Sequence, residues 1–223
     1  MSPKQLHGPS EPVERATIDE LSRTLEEYES DADAYVRKYC TESVAALYGD
    51  PFFDALAGDR LLDVGCGPGS DVSTFDAAGY DAVGLDLTAS FLRAARDREP
   101  TAPFVRGDMR DLPFEDGAFD GVWSSASFLH VPRSDATATL REFRRVLRPD
   151  GVVFCLVKRT PTTPDESRDR HFEYYRPDEI RALLERAAFE PVRVETEENW
   201  IRTLARVGTT EATRVAGDPE RSP

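Results

Sequence analysis

An α/β fold built on a doubly wound parallel sheet is what this sequence predicts, on three observations. Short apolar runs at Leu61–Val64, Ala82–Leu85, Phe119–Ser124 and Val152–Val157 read as strands buried on both faces. Segments with apolar residues at helical spacing separate them, so the strands run parallel through right-handed crossovers. The first run ends in Gly65-Cys66-Gly67-Pro68-Gly69, a tight turn into a helix starting near Ser70, and such a turn marks a nucleotide-binding corner.

The chain has 223 residues and 39% hydrophobic content, enough for one domain with a full core. We expect that domain to span residues 13–207, between a disordered tail over 1–12 and a frayed tail over 208–223, with no internal repeat. No run approaches the ~20 apolar residues of a membrane span, and Met1–Glu14 lacks the apolar core of a signal peptide, so a cytoplasmic protein is expected. A formal net charge of −14 makes nucleic acid and anionic membranes poor partners, because phosphate binding rests on basic side chains. Lysine occurs only at Lys4, Lys38 and Lys158 while arginine is abundant, and the acids are spread along the chain. That composition resembles proteins of halophilic archaea, whose acidity is a solvated surface. Cys40, Cys66 and Cys155 form no C-x-x-C pair, and neither a disulfide framework nor a metal site is expected.

In chain order, Ile18, Leu21, Leu25 and Tyr28 predict an amphipathic helix over Val13–Glu29. A second helix near Asp31–Tyr48 stops at Gly49-Asp50-Pro51, and Phe52, Phe53 and Leu56 add an apolar turn, giving N-terminal helices over 13–57. After the glycine turn come a helix over Ser70–Ala78, a strand over Asp81–Asp86 and a helix capped by Thr88 that runs to Arg98. Phe104–Arg106 is a short strand. A helix over Ser134–Leu147 is stopped by Arg148-Pro149-Asp150-Gly151 ahead of the strand at Val152. Lys158–Arg170 is a polar, proline-bearing loop, Asp178–Ala188 a helix led by Pro177, and Pro191–Thr196 with Trp200–Val207 an antiparallel hairpin.

The glycine spacing is G-x-G-x-G, distinct from the G-x-G-x-x-G dinucleotide fingerprint, and Asp63 points an acid toward the turn, which suits a cationic amine better than a phosphate. Asp86 lies at the end of the second strand, roughly 20 residues after the first glycine, where a carboxylate can accept hydrogen bonds from ribose hydroxyls. Gly107-Asp108-Met109 with Leu112-Pro113-Phe114 follows the third strand. In this order the segments resemble the class I S-adenosylmethionine (SAM) dependent methyltransferases over about Tyr28–Val207. The resemblance implies a Rossmann-like sheet of seven strands in the order 3-2-1-4-5-7-6, with the seventh antiparallel, under an N-terminal helical lid. It implies a cofactor site made by Asp63, Gly65, Cys66, Gly67, Gly69, Asp86, Leu87, Asp108, Met109, Ser124 and Ser125, with Asp108 and the Met109 N–H meeting the adenine edge. The stretch Tyr28–Tyr35 resembles the family's lid, with Tyr28 and Tyr35 closing over the ligand or packing within the helices.

The resemblance implies methyl transfer from SAM, leaving S-adenosylhomocysteine, to a small-molecule acceptor at oxygen or nitrogen in preference to carbon. His130, just past the fourth strand, is the candidate general base, with a packing role as its alternative. His130, His171, Tyr174 and Tyr175 are candidates for the acceptor pocket. The competing functions are a SAM-binding regulator without transfer activity and an NAD-dependent Rossmann oxidoreductase. The glycine spacing and the terminal hairpin disfavour the oxidoreductase.

Overall fold

The computed structural model describes residues 12–40, 43–161 and 172–208. Its centre is β1 (Arg60–Val64), in which Leu61, Leu62 and Val64 are fully buried because helices cover both faces of the sheet. β1 pairs in parallel with β2 (Asp81–Asp86) on one side and with β4 (Phe119–Ser125) on the other, Leu62 lying against Val83 and Val122. β3 (Phe104–Arg106) extends one edge in parallel. Beyond β4, β5 (Leu147–Arg159) is parallel, and β8 (Trp200–Val207) enters antiparallel between β5 and β7 (Phe189–Glu197). The order is β3-β2-β1-β4-β5-β8-β7, with the two-residue β6 (Tyr174–Tyr175) paired to the end of β5. Apart from β6, this is the predicted arrangement.

Two apolar layers hold the helices. On one face Leu62, Val64, Val122 and Val153 meet Leu140 and Phe143 of α7 (Arg133–Val146) and Ile180 of α8 (Pro177–Arg186). On the other, Leu61, Trp123 and Phe154 meet Phe75 of α5 (Ser70–Ala77), Leu92 of α6 (Ala89–Arg98) and Phe52, in the short α4 (Asp50–Phe53). Trp123 stacks on Phe154 with ring centroids 3.8 Å apart, a flat filling for the space between sheet and helices.

The N-terminal helices are α1 (Pro12–Ser30), α2 (Ala32–Tyr39) and α3 (Val44–Tyr48). The helix predicted over 31–48 is thus two elements. Ser43 caps α3 by accepting from the Ala46 N–H at 3.1 Å, and a cap at that position starts a new helix. Thr88 precedes α6 but supplies no side-chain cap; the Glu29 carboxylate of α1 accepts from the Ala89 N–H at 2.7 Å instead. β5 also begins earlier than predicted, at Leu147. Leu147 pairs with Phe119, and the ladder shifts register before Gly121 meets Val152, absorbing Asp150 at φ 68°. Residues 1–11 and 209–223 of the tails predicted over 1–12 and 208–223, and residues 162–170 of the polar loop, lie outside the described residues, whereas Pro12 already belongs to α1.

Candidate functional site

The carboxyl ends of β1, β2 and β4 open into a cavity of about 990 Å³ that runs beneath α1, α2 and α3. Its floor is the glycine turn. The N–H groups of Gly65 and Cys66 donate to the Leu85 carbonyl at 2.7 and 3.0 Å, so the turn is stitched to β2 by main chain. Gly65 has φ +74°, and a Cβ there would sit 2.2 Å from Ser127 Cβ, which excludes any other residue. Gly67, at φ +53°, has nothing within 4 Å of where a Cβ would stand and leaves the main chain open to the cavity.

Carboxylates surround this floor. One oxygen of Asp86 accepts from the Gly67 N–H at 2.9 Å and the other from the Thr88 N–H at 2.7 Å. Each retains lone-pair capacity for a ligand hydroxyl. Burial pushes the Asp86 carboxyl above its ordinary range, against the lowering effect of these N–H donors. Asp63 is 2% exposed, and its Oδ2 has no hydrogen-bond partner. Burial first, then the charges of Asp71 and Asp86, raise it well above the usual carboxylate value. Burial and the same carboxylates raise Cys66, so its thiol stays protonated and acts as a small packing residue.

Asp108 and Met109 reach the wall from the loop after β3, and Leu87 reaches it from the loop after β2. The Asp108 carboxylate is gripped by Arg110, whose Nε lies 3.1 Å from both oxygens and which also pairs with Asp135 at 3.2 Å. Burial would raise Asp108, but the Arg110 hydrogen bonds prevail and hold it below its usual value.

Past β4, the 3-10 turn Phe128–His130 brings His130 to the wall. Its Nε2 lies 2.9 Å from the Tyr28 hydroxyl, and its ring packs at 5.6 Å on Tyr28 and 5.0 Å on Phe172. The lid and the candidate base therefore touch directly.

Several residues expected at the site lie off its wall. Tyr35 packs behind Tyr28 at 5.0 Å and donates to Glu27 Oε1 at 3.0 Å. Gly69 faces Ala95 and Phe104 under α6. Ser124 is fully buried below the floor, 2.8 Å from the Ser127 hydroxyl, which in turn donates to the Val64 carbonyl, while Ser125 is on the wall. Tyr175 faces the opposite layer, because β6 pairs it with Arg159 on the side turned toward Phe128 and α7; its buried hydroxyl is unpartnered and its pKa is raised by burial. Tyr174 is half-buried in the same pairing and off the wall. His171 lies outside the described residues.

Other wall residues carry little local signal: Thr24, Lys38, Tyr39, Tyr48, Arg110, Lys158, Phe172, Trp200 and Arg202. Asp71 is the anchor beneath them. Its Oδ1 accepts from the Ser43 hydroxyl at 2.7 Å and the Ala45 N–H at 3.0 Å, and its Oδ2 from Trp123 Nε1 at 2.7 Å. An acid two residues past the last glycine of the turn is the sequence signal for it.

A match to the family described as "Methyltransferase domain" covers residues 62–155, the segment that holds the glycine turn, Asp86, Asp108 and His130. Over 114 residues the chain is 36% identical to a demethylmenaquinone methyltransferase of Staphylococcus saprophyticus, covering 48% of each protein. The chain spans between 39% and 59% of the length of the first curated relatives it matches. Among solved structures, the Burkholderia thailandensis 1,6-didemethyltoxoflavin-N1-methyltransferase, with 1,6-didemethyltoxoflavin and S-adenosylhomocysteine bound, superposes with TM-score 0.70 at 20% identity, over 91% of this chain and 93% of that one. A chain from the Haloferax volcanii complex of the Trm112 methyltransferase activator with a methyltransferase gives TM-score 0.68 at 20% identity, over 81% and 97%. The fold is the one these methyltransferase structures share, and the cofactor that such a fold implies is SAM.

The residues fit that cofactor. Asp63, one of whose buried oxygens is unpartnered, lines a cavity that a cationic ligand could enter, Gly67 leaves the main chain open, and Asp86 is already aligned by two N–H groups.

Proposed function

We propose that the protein is an enzyme that transfers a methyl group from SAM to a small-molecule acceptor, at oxygen or nitrogen, leaving S-adenosylhomocysteine. The observation that carries this reading is the unpartnered Asp63 oxygen, buried at the end of β1 beside an open glycine turn. A lone buried carboxylate is costly unless a cation pairs with it, and an ammonium group answers that need. Bound SAM supplies a methyl carbon already activated by a sulfonium leaving group, so the protein's work is positioning and, for a protonated acceptor, removal of a proton.

In this reading Asp86 accepts from the ribose hydroxyls, and Asp108 with the Met109 N–H meets the adenine edge. Asp63 faces the amino-acid end. Tyr28 closes the lid and holds the imidazole of His130, which takes the acceptor's proton. Residues 13–207 act as one domain with a salt-adapted surface, in the cytoplasm. The acidity of the chain, at −14, supports an acceptor other than nucleic acid. The names of the demethylmenaquinone and didemethyltoxoflavin enzymes support a small molecule. No described helix is long and apolar enough to cross a membrane.

Labelled methyl groups from SAM should appear on small metabolites of a cell extract, and His130→Ala should lower turnover by about 100-fold with SAM affinity intact. Label confined to RNA or protein would contradict the acceptor class. A small loss of turnover accompanied by lower stability would reduce His130 to a packing residue.

A further inference from the structure

The wall that carries Asp108 also carries a cation two residues on. The loop after β3 is fixed to β2 by the Gly107 N–H, which donates to the Asp86 carbonyl at 3.1 Å, and it brings both Asp108 and Arg110 to the cavity. Arg110 folds back onto its neighbour. Its backbone N–H donates to Asp108 Oδ1 at 2.9 Å, its Nε lies 3.1 Å from both carboxylate oxygens, and its Nη2 reaches Oδ2 at 2.7 Å. From the other side Asp135, in the first turn of α7, holds Nη1 at 3.2 Å. All three side chains are half-buried.

A count of donors and acceptors gives this arrangement a consequence. A carboxylate offers about four lone-pair positions, and Arg110 brings three N–H groups to Asp108. One acceptor position is left, which is what a single N–H of an amine requires. A planar guanidinium bound to both oxygens also fixes the plane of the carboxylate, so the open position points in one direction. Asp135 braces the guanidinium from α7 and keeps it from swinging away. An ordinary surface ion pair has neither the fork nor the brace, and contributes little.

We propose that Arg110 is a positioning residue of the cofactor site, which aims the open acceptor position of Asp108 at the exocyclic amine and so makes this wall select an aminopurine. This rests on the methyltransferase reading, in which Asp108 meets the adenine edge, and deepens it.

Titration calorimetry compares S-adenosylhomocysteine with its 6-deamino analogue, in which hydrogen replaces the exocyclic amine and the ring nitrogens are kept. The ratio of the two affinities reports the amine alone, because the ribose and homocysteine ends are common to both ligands and a general loosening of the site cancels. Wild type should prefer S-adenosylhomocysteine by at least about tenfold, the worth of a hydrogen bond to a charged group. Asp108→Ala should bring the ratio close to one, and Arg110→Gln should lower it by at least about threefold with Asp108 intact. Arg110→Lys, which keeps the charge without the planar fork, should lower it as well, and it serves as the test if the glutamine variant does not fold. A ratio near one in the wild type, or one that falls in Asp108→Ala but is kept or increased in Arg110→Gln or Arg110→Lys, would overturn the role of Arg110 while leaving the cofactor reading in place. Failure of S-adenosylhomocysteine itself to bind the wild type would instead sink that reading, and the proposal with it.

Discussion

At the glycine corner the cavity wall is main chain and strand-end carboxylates, contributed by the loops that follow β1 and β2. At the β5–β8 end it is side chains from α3, β5, β8 and the segment around Phe172, brought together only when the antiparallel hairpin closes the sheet. The corner is a rigid fixture. Gly65 and Cys66 are tied to Leu85, Gly67 to Asp86, and Asp86 to Thr88. The far end is a set of choices laid on the same frame, where Lys158, Trp200 and Arg202 could be replaced without moving a strand. In the proposed reading the main-chain corner holds the cofactor, and the side-chain end is left to meet the acceptor.

The largest test of the comparison lies where the two halves are joined. Asp71→Ala removes the acceptor for Ser43, Ala45 and Trp123 at once, leaving buried N–H donors unpaired. We expect a loss on the order of 3 kcal/mol or more in denaturant unfolding. A loss under about 1 kcal/mol would mean that the lid helices are held by other contacts.

A sharper test concerns charge at the corner. Burial raises the Asp63 carboxyl, with Asp71 and Asp86 adding to the effect, so the folded protein binds its proton more tightly than the unfolded chain does. Its contribution to stability is full below the ordinary carboxylate range and is lost as pH rises through the raised value. Melting temperatures of wild type and Asp63→Asn, compared from pH 4 to pH 8, should therefore diverge in favour of the variant as pH rises. If the ammonium of SAM pairs with the ionised form as proposed, saturating SAM should close that gap in favour of the wild type. Parallel curves would mean that Asp63 is solvated and faces no ligand.

The smallest effect belongs to the lid. Glu29 accepts from the Ala89 N–H and sits at the N-terminus of α6, where the helix dipole favours an anion; those N–H groups and Arg93 hold its carboxyl below the usual value against the opposing effect of burial. Glu29→Ala should cost about 0.5–1 kcal/mol, read as a drop of a few degrees in melting temperature. No change would mean that other contacts, such as Tyr28 on His130 and Phe91, are enough to anchor α1.

The same contrast explains what could be read in the sequence. The corner was legible because its parts are contiguous: a strand, a glycine turn and an acid at the end of the next strand lie within the run from Leu61 to Asp86. The sheet order was legible from the alternation of strands and helices and the terminal hairpin. Local spacing could not show that Glu29 would cap α6 in place of Thr88, or that Ser43 and Asp71 would lock the lid, because each pair is distant along the chain. Tyr175 was misplaced for a related reason. The stretch ahead of Pro177 is assigned no strand from its sequence and so gives Tyr175 no facing, and only the pairing of β6 with β5 turns its ring into the core.

The central claim is that the glycine corner binds SAM, and direct titration of the protein tests it. Calorimetry with SAM and S-adenosylhomocysteine should show saturable one-site binding with no heat from NAD. Asp86→Ala, which removes charge-assisted hydrogen bonds, should weaken the binding by on the order of 1.5–3 kcal/mol. Binding of NAD in place of SAM, or SAM affinity unchanged by Asp86→Ala, would contradict the account.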